Sequence, residues 1–187
     1  EASDISKKLA AAQVGLQYLT MDEPLWFGHF YRGKNACVSS SSEVAEMVAP
    51  IIDAYTKAFP DLKIGDIVPI PSLTLQSNWQ QIYSRWLDDF HEKTGRPLSF
   101  VQVDVEWSRR DWRSGLPAFT RLADLKGLPW GVIYNASGAN NLEWYRTARK
   151  NISIVEHELR LRPALAVFTS WEPFPTRGIS HGDEPAE

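Results

Sequence analysis

The 187-residue sequence contains one cysteine, two methionines and four histidines. The lone Cys37 cannot form a disulfide within the chain, and we predict an inert thiol in a loop for it. A net charge of -3 offers no basic surface for nucleic acid and no polybasic membrane patch. No apolar run is long enough to span a bilayer, and no signal peptide opens the chain. We therefore expect no nucleic-acid or membrane partner.

The chain begins with Glu1 rather than methionine. We expect that an N-terminal part has been removed, which leaves a secreted origin open. The length is typical of one domain, assigned to residues 1–187, with residues 173–187 as a C-terminal loop or tail. Aromatic residues are abundant, with eight Trp, six Tyr and eight Phe. Indole rings serve as core or as flat platforms for sugar rings, and composition does not choose between these uses.

The most informative stretch is residues 99–107, Ser-Phe-Val-Gln-Val-Asp-Val-Glu-Trp. Side chains in a strand alternate between faces, so one face is apolar and the other carries Gln102, Asp104 and Glu106. A strand buried between two helix layers would be apolar on both faces. A closed barrel tolerates the pattern, because its inner face ends at an open mouth where polar side chains reach water or a ligand.

Hydrophobic periodicity predicts a helix, then strand and helix four times over, then a final strand. Such alternation is typical of parallel strands joined by right-handed crossovers. A complete eightfold barrel needs about 250 residues, so two structures fit: a five-stranded open sheet, and an incomplete α/β parallel barrel of TIM type holding about strands 4 to 8. Pro50 predicts a kink or a split in the second helix. The predicted strands are 14–21, 64–70, 99–107, 129–135 and 164–171.

Acidic and polar residues follow the carboxyl ends of these strands, where parallel barrels build their active sites. In the final strand, we expect Ala166 and Phe168 to share a face with the polar residues that follow, as in the central strand. These strand ends favour the barrel over the open sheet. The strand-end residues are Asp22, Glu23, Asp104, Glu106, Asn135, Ser170 and Glu172.

Convergent carboxylates without a histidine cluster or a Gly-rich phosphate loop suggest acid and base chemistry on a neutral polar substrate. Cleavage of a glycosidic bond needs two carboxyl groups: one protonates the leaving oxygen, and the other acts as nucleophile or activates water. We predict no cofactor and no metal, since His29 has no second histidine at ligand spacing.

Two motifs resemble those of clan A glycoside hydrolases. Asp22-Glu23-Pro24 resembles their Asn-Glu-Pro signature, in which the glutamate closing the fourth barrel strand is the acid/base. Ser170-Trp171 is similar to the eighth-strand tryptophan of that clan, which lines the sugar site. Counted from these anchors, the chain would be strands four to eight. It departs from the clan at strand seven, where the nucleophilic glutamate is expected and Tyr134-Asn135 stands instead.

The run from Gln102 through Asp104 to Glu106 also resembles the Asp-x-Asp-x-Glu run of family 18 chitinases, with glutamine at its first acidic position. That run ends strand four in those enzymes, so the two resemblances agree on a sugar-cleaving barrel and differ in register.

These observations predict a glycosidase-type barrel that cleaves O-glycosidic bonds of a polysaccharide or oligosaccharide. Glu23 is the proposed acid, and Glu106 or Asp104 is the nucleophile or base. Two alternatives stay open: a carbohydrate-binding or scaffold barrel without catalysis, and a five-stranded flavodoxin-like binding module that would bury Asp104 and Glu106 under helices. The candidate substrate-binding residues are Asp22, Trp26, His29, Gln102, Asn135, Trp171 and Glu172.

If three barrel units are absent, the edges beside the first and last strands should pair with a missing N-terminal half, another chain or a dimer mate.

Overall fold

A computed structural model describes residues 1–176 of the chain. Helices and strands alternate along it in the predicted order. Of the expected tail, residues 177–187 lie outside the described residues. The strands are β1 (Tyr18–Met21), β2 (Lys63–Ile70), β3 (Phe100–Val105), β4 (Trp130–Ile133) and β5 (Leu165–Val167), and the helices are α1 (Ala2–Ala11), α2 (Ser41–Ala58), α3 (Trp79–Thr94), α4 (Trp112–Leu125) and α5 (Asn141–Ile152). Short π-helical turns cover Trp26–Phe30 and Ser153–Glu158.

The five strands form one parallel sheet in the spatial order β1-β2-β3-β4-β5. Sheet order therefore follows chain order, whereas a doubly wound sheet reverses direction at a switch point. The sheet curls into a half-barrel with alternating helices, which confirms the prediction of an incomplete α/β barrel. The flavodoxin-like alternative is wrong, because the strand order of such a sheet changes direction at a switch point and the order observed here does not.

The two faces of β3 differ as the sequence predicts. Val101, Val103 and Val105 are buried on the helix side, while Gln102 and Asp104 lie half-buried on the inner side. The inner face of a half-barrel has no helix layer over it, so these polar side chains keep access to water. The polar side of β3 thus points toward the mouth.

The faces of β5 are opposite to the prediction. Ala166 pairs with Val132, which in turn pairs with Val103. Paired residues in neighbouring strands point to the same side of the sheet, so Ala166 lies on the helix side. Phe168, two residues further on, is expected on that side as well. Val167 pairs with Ile133 on the inner side. The strand ends at Val167, three residues before the polar segment that was expected to continue it.

Helix α2 is continuous despite Pro50. Ser40 caps it: its hydroxyl accepts from the Glu43 backbone N–H, while the Glu43 carboxylate accepts from the Ser40 backbone N–H. Pro50 removes one hydrogen bond from the carbonyl of Glu46, and both residues are exposed. Water can satisfy that carbonyl, so the helix tolerates the proline without splitting.

One carboxyl group lies inside the core, on the helix side of β2. Asp66 is fully buried, and its Oδ2 accepts hydrogen bonds from Trp86 Nε1 at 2.9 Å and from the Tyr83 hydroxyl at 3.3 Å. Its Oδ1 has no hydrogen-bond partner. Burial raises the pKa of Asp66 to about 7, against the lowering effects of Trp86, Tyr83 and the backbone N–H of Ile67.

Within residues 1–176, no helix combines the length and the apolar character that a membrane span requires.

Candidate active site

Glu23 lies directly after β1, at the carboxyl end of the sheet, with Asp22 exposed before it and Pro24 after it. Its backbone φ is +51°, in the left-handed region. That region is costly for a residue with a side chain, and a residue before proline normally adopts extended backbone. Strained residues of this kind cluster at functional sites. The Glu23 side chain forms no hydrogen bond with any group of residues 1–176, so its carboxyl oxygens are available to a ligand.

Burial is the main cause that raises the pKa of Glu23, to about 8. The negative charge of Asp104 is the next largest cause, followed by Asp22, Glu106 and the core residue Asp66, because like charges oppose ionisation. The charges of Asp22, Asp104 and Glu106, at or after the carboxyl ends of β1 and β3, thus all oppose the ionisation of Glu23. Glu23 is therefore a neutral acid, able to give up a proton, at a pH where ordinary carboxyl groups are ionised.

Asp104 is on the inner face of β3, opposite Pro69 of β2 and Ile133 of β4. Its Oδ1 accepts a hydrogen bond from Asn135 Nδ2 at 3.0 Å. Burial raises the pKa of Asp104 to about 6, the charges of Asp22 and Glu106 add to this, and the Asn135 amide opposes it. Glu23 is not among the causes, since it is still neutral when Asp104 ionises.

Glu106 follows β3, and both its carboxylate oxygens are engaged. The backbone N–H of Ser72 donates to Oε1 at 3.3 Å, and the Ser72 hydroxyl donates to the same oxygen. Arg109 Nη1 lies 3.5 Å from Oε2, and Arg109 Nη2 lies 3.8 Å from Asp111. The two donors and the cation hold Glu106 in place and leave it less free than Asp104 to approach a substrate.

In the aromatic loop after β1, the two residues predicted to contact a substrate, Trp26 and His29, contact other parts of the protein instead. Trp26 stacks on Phe30 with ring centroids 6.2 Å apart and packs against the core. His29 Nδ1 lies 2.6 Å from the Ser39 carbonyl oxygen, which braces the loop. The neighbouring Phe27 is half exposed instead. The π-helical turn thus presents Phe27 rather than Trp26 to solvent.

The remaining predicted residues are placed in two regions. Gln102 lies on the inner face, one pleat below Asp104. Trp171 and Glu172 follow β5 in an exposed loop, and 63% of the Trp171 side chain is accessible. The Ser170 hydroxyl accepts from the Glu172 backbone N–H at 3.1 Å, which shapes this loop. Trp171 is thus available to a ligand, whereas a core position would have hidden it.

Sequence reasoning missed Ser72, Asp66 and Asn151. Ser72 follows Pro71 at the carboxyl end of β2, the one strand end for which no site residue was proposed. Its position in the alternation of strands is the signal that could have found it. Asn151, within α5, is buried and donates from Nδ2 to the carbonyl oxygen of Asn135 at 3.2 Å. No local pattern marks such a residue, because its partner lies sixteen positions away.

No group of three or more His, Cys, Asp or Glu side chains in residues 1–176 could hold a metal ion. At this end of the sheet, the negative charges of Asp22 and Glu106 act on both Glu23 and Asp104. An arrangement of this kind can hold a proton on one carboxyl group while another is ionised.

Two solved structures resemble this chain. Both are crystal structures of BuGH86, a GH86 glycoside hydrolase, in complex with neoagarooctaose, one of the wild type and one of a single-residue variant. The TM-scores are 0.52 and 0.53, at 18% sequence identity. Each match covers 82% of this chain and 28% of the other, so this chain spans little more than a quarter of the length of either neighbour. Similarity at this identity establishes the fold.

No protein-family model and no curated protein matches the sequence.

Proposed function

We propose that this chain belongs to a glycosidase-type barrel that cleaves an O-glycosidic bond, with Glu23 as the general acid and Asp104 as the nucleophile or base. The observation that carries the proposal is the placement of both residues at the carboxyl end of one parallel sheet, Glu23 after β1 and Asp104 next to the last residue of β3, with pKa values of about 8 and about 6. Pairs of carboxyl groups whose environments push their pKa values apart are typical of acid and base pairs.

The separation supplies both protonation states together. Between about pH 6 and 8, Glu23 keeps its proton while Asp104 is ionised. Hydrolysis of a glycoside requires that one carboxyl group protonate the leaving oxygen and that the other attack the sugar or activate water. Activity should therefore follow a bell-shaped pH profile with limbs near these two values.

Glu106 is the weaker candidate for the reacting base, because Ser72 and Arg109 occupy both its oxygens. Its negative charge still acts on Glu23 and Asp104 and helps to keep their protons in place. We assign Glu106 a supporting electrostatic role, and its hydrogen bonds from Ser72, in the turn after β2, keep that charge fixed.

The proposed substrate is a neutral oligosaccharide or polysaccharide. The complexes of both structural neighbours with neoagarooctaose support this class and make agarose oligosaccharides the first ligands to test. Four carboxyl groups at the mouth, with Arg109 as the cation paired to Glu106, would oppose an anionic sugar. The proposed contacts are Asp22, Gln102, Asn135, Trp171 and Glu172. Trp26 and His29, which were also expected there, instead pack against the core and contact the Ser39 carbonyl, respectively.

A second candidate function is carbohydrate binding without cleavage. The residue after β4 that reaches the site is Asn135, an amide that already donates to Asp104. In the resembling clan a glutamate at the end of strand seven is the nucleophile, and an amide cannot take that role. A barrel without this acid could still hold a sugar.

The test incubates the full chain with agarose, glucan and chitin oligosaccharides and measures the release of reducing ends and the binding of each sugar. Glu23→Gln and Asp104→Asn should each abolish turnover while folding persists. Glu46→Gln, which changes an exposed glutamate on α2, is the matched control and should retain turnover. Binding without turnover of any substrate by the unmodified chain would reject the catalytic proposal and support the second candidate.

A further inference from the structure

Two consecutive residues after β4 are hydrogen-bonded to the last turn of α5 and to the π-helical turn that follows it. Tyr134 donates from its hydroxyl to Glu156 Oε1 at 2.8 Å. The next residue, Asn135, accepts at its backbone carbonyl from Asn151 Nδ2 at 3.2 Å. Residues 134–138 have no regular secondary structure, so side-chain hydrogen bonds such as these two help to set the conformation of the loop.

Asn151 is an unusual residue for its position. It is 6% exposed within the last turn of α5. Asparagine favours caps and turns over helix interiors, and a buried amide is unfavourable without a hydrogen bond. The contact with the Asn135 carbonyl supplies that bond, and an apolar residue could have filled the same space without needing one.

Asn135 connects this tie to the site. While its backbone carbonyl is held by Asn151, its side-chain Nδ2 donates to Asp104 Oδ1 at 3.0 Å. Asp104 Oδ2 forms no hydrogen bond with residues 1–176. The direction of a short side chain such as asparagine follows from its backbone, so a fixed carbonyl also fixes where the amide points.

We propose that Asn151 is a positioning residue: it holds the Asn135 backbone, which aims the Asn135 amide at Asp104 Oδ1 and reserves Oδ2 for the reaction. This inference rests on the proposed function, which makes Asp104 the reacting carboxylate. It also assigns Asn135 to orienting Asp104 rather than to contact with the sugar alone.

We call the contacts that run from Asn151 through Asn135 to Asp104 the relay. Carboxyl carbon NMR on the full chain tests the relay by following the ionisation of Asp104 with pH. The wild-type midpoint is expected at about 6. Asn135→Ala removes the donor that stabilises the ionised form and should move the midpoint above the wild-type value. Asn151→Ala and the nearly isosteric Asn151→Leu should move it in the same direction by at least half as much.

Tyr134→Phe is the matched control. It removes the neighbouring hydrogen bond between the loop and Glu156, in the π-helical turn after α5, and leaves the contacts of Asn151 and Asp104 in place. The Asp104 midpoint should stay at the wild-type value in this variant. A residue that merely stabilises the packing of α5 would produce equal effects in the two cases, so a midpoint that moved equally in Tyr134→Phe would overturn the proposal.

A measurement on the wild-type chain keeps the test decisive if the Asn151 variants do not fold. The side-chain amide resonances of Asn135 and Asn151 should both titrate with the midpoint of Asp104. An Asn151 amide that ignores this titration, or Asn151 variants with an unchanged Asp104 midpoint, would overturn the relay.

Neither NMR measurement needs turnover, so the two proposals fail separately. A shifted Asp104 midpoint in a chain that cleaves no sugar would reject the proposed catalysis and keep the relay. Turnover lost in Asp104→Asn but unaffected in rate and pH profile by both Asn151 variants would reject the relay and keep the catalysis.

Discussion

The Trp86 indole N–H donates to the Asp66 carboxyl inside the core, with Nε1 and Oδ2 2.9 Å apart. The contact joins α3 to β2 through a carboxyl group that water does not reach. A buried carboxylate is costly unless charge or several donors compensate it, and here Oδ1 has no partner. The proton that Asp66 keeps in the folded state therefore links stability to pH.

The chain should lose stability as the pH rises from about 4 to about 7. The pKa of Asp66 is raised in the folded state from an ordinary 3.8 to about 7. The stabilisation from its bound proton is thus complete below pH 3.8 and is lost as the pH passes through 7. Asp66→Asn should remove this pH dependence. Between pH 4 and pH 8, the free energy of unfolding of the variant should rise by about 2 to 4 kcal/mol relative to that of the wild type.

Urea denaturation at several pH values measures this difference. Asp61→Asn, at an exposed aspartate just before β2, is the control and should keep the wild-type pH dependence. Parallel curves for Asp66→Asn and wild type would show that Asp66 ionises normally in the folded chain.

The pKa of Glu23 should change when Asp104 is replaced, whereas the pKa of Asp104 should not change when Glu23 is replaced. Asp104 supplies the largest charge effect on Glu23, so Asp104→Asn should lower the pKa of Glu23 below its value of about 8. Glu23→Gln should leave the pKa of Asp104 near 6, because Glu23 is neutral when Asp104 titrates. Carboxyl carbon NMR measures both. Asp22→Asn should lower the Glu23 midpoint less, and an equal drop in the two variants would contradict this ordering.

Gly65 makes room for Phe100 on the inner face of the half-barrel. The two residues pair across β2 and β3, and a Cβ added to Gly65 would come within 2.3 Å of the Phe100 ring. Gly65→Ala should therefore destabilise the fold by about 1 to 3 kcal/mol, measured by urea denaturation. Gly15→Ala, where nothing lies within 4 Å of the added Cβ, is the matched control.

A double-mutant cycle with Phe100→Ala identifies the cause. The cost of Gly65→Ala should shrink once the ring is gone. The same cost in the presence and absence of the ring would place the strain elsewhere.

Trp171 should contribute to sugar binding without contributing to stability. Its ring is 63% exposed, so Trp171→Ala should change the free energy of unfolding by no more than about 0.5 kcal/mol. Loss of a stacking platform for a sugar ring should weaken oligosaccharide binding by about 1 kcal/mol, roughly fivefold in Kd by calorimetry. Leu125→Ala, which removes another exposed apolar side chain, should leave Kd unchanged, and an unchanged Kd in Trp171→Ala would remove it from the site.

The edges of the fold show where sequence reasoning lost accuracy. The first strand was expected over 14–21 and the last over 164–171, but the ladders hold only Tyr18–Met21 and Leu165–Val167. Both are terminal strands of the sheet, each with one neighbour. The extent of such a strand depends on where its single partner lies, which the local pattern of side chains does not encode. The inverted faces of β5 have the same origin.

Periodicity in the sequence determined the alternation of helices and strands, the parallel sheet and the polar inner side of β3, because each depends on local geometry and on the alternation of side chains along a strand. The sequence also identified Glu23 and Asp104 as candidate carboxyl groups from their places at strand ends. Only the tertiary structure decided how they are used. The burial of Asp66, the ties of Glu106 to Ser72 and Arg109, and the contacts from Asn151 through Asn135 to Asp104 join residues on different elements. Their pKa values and hydrogen bonds depend on desolvation and distance, which exist only once the sheet has curled.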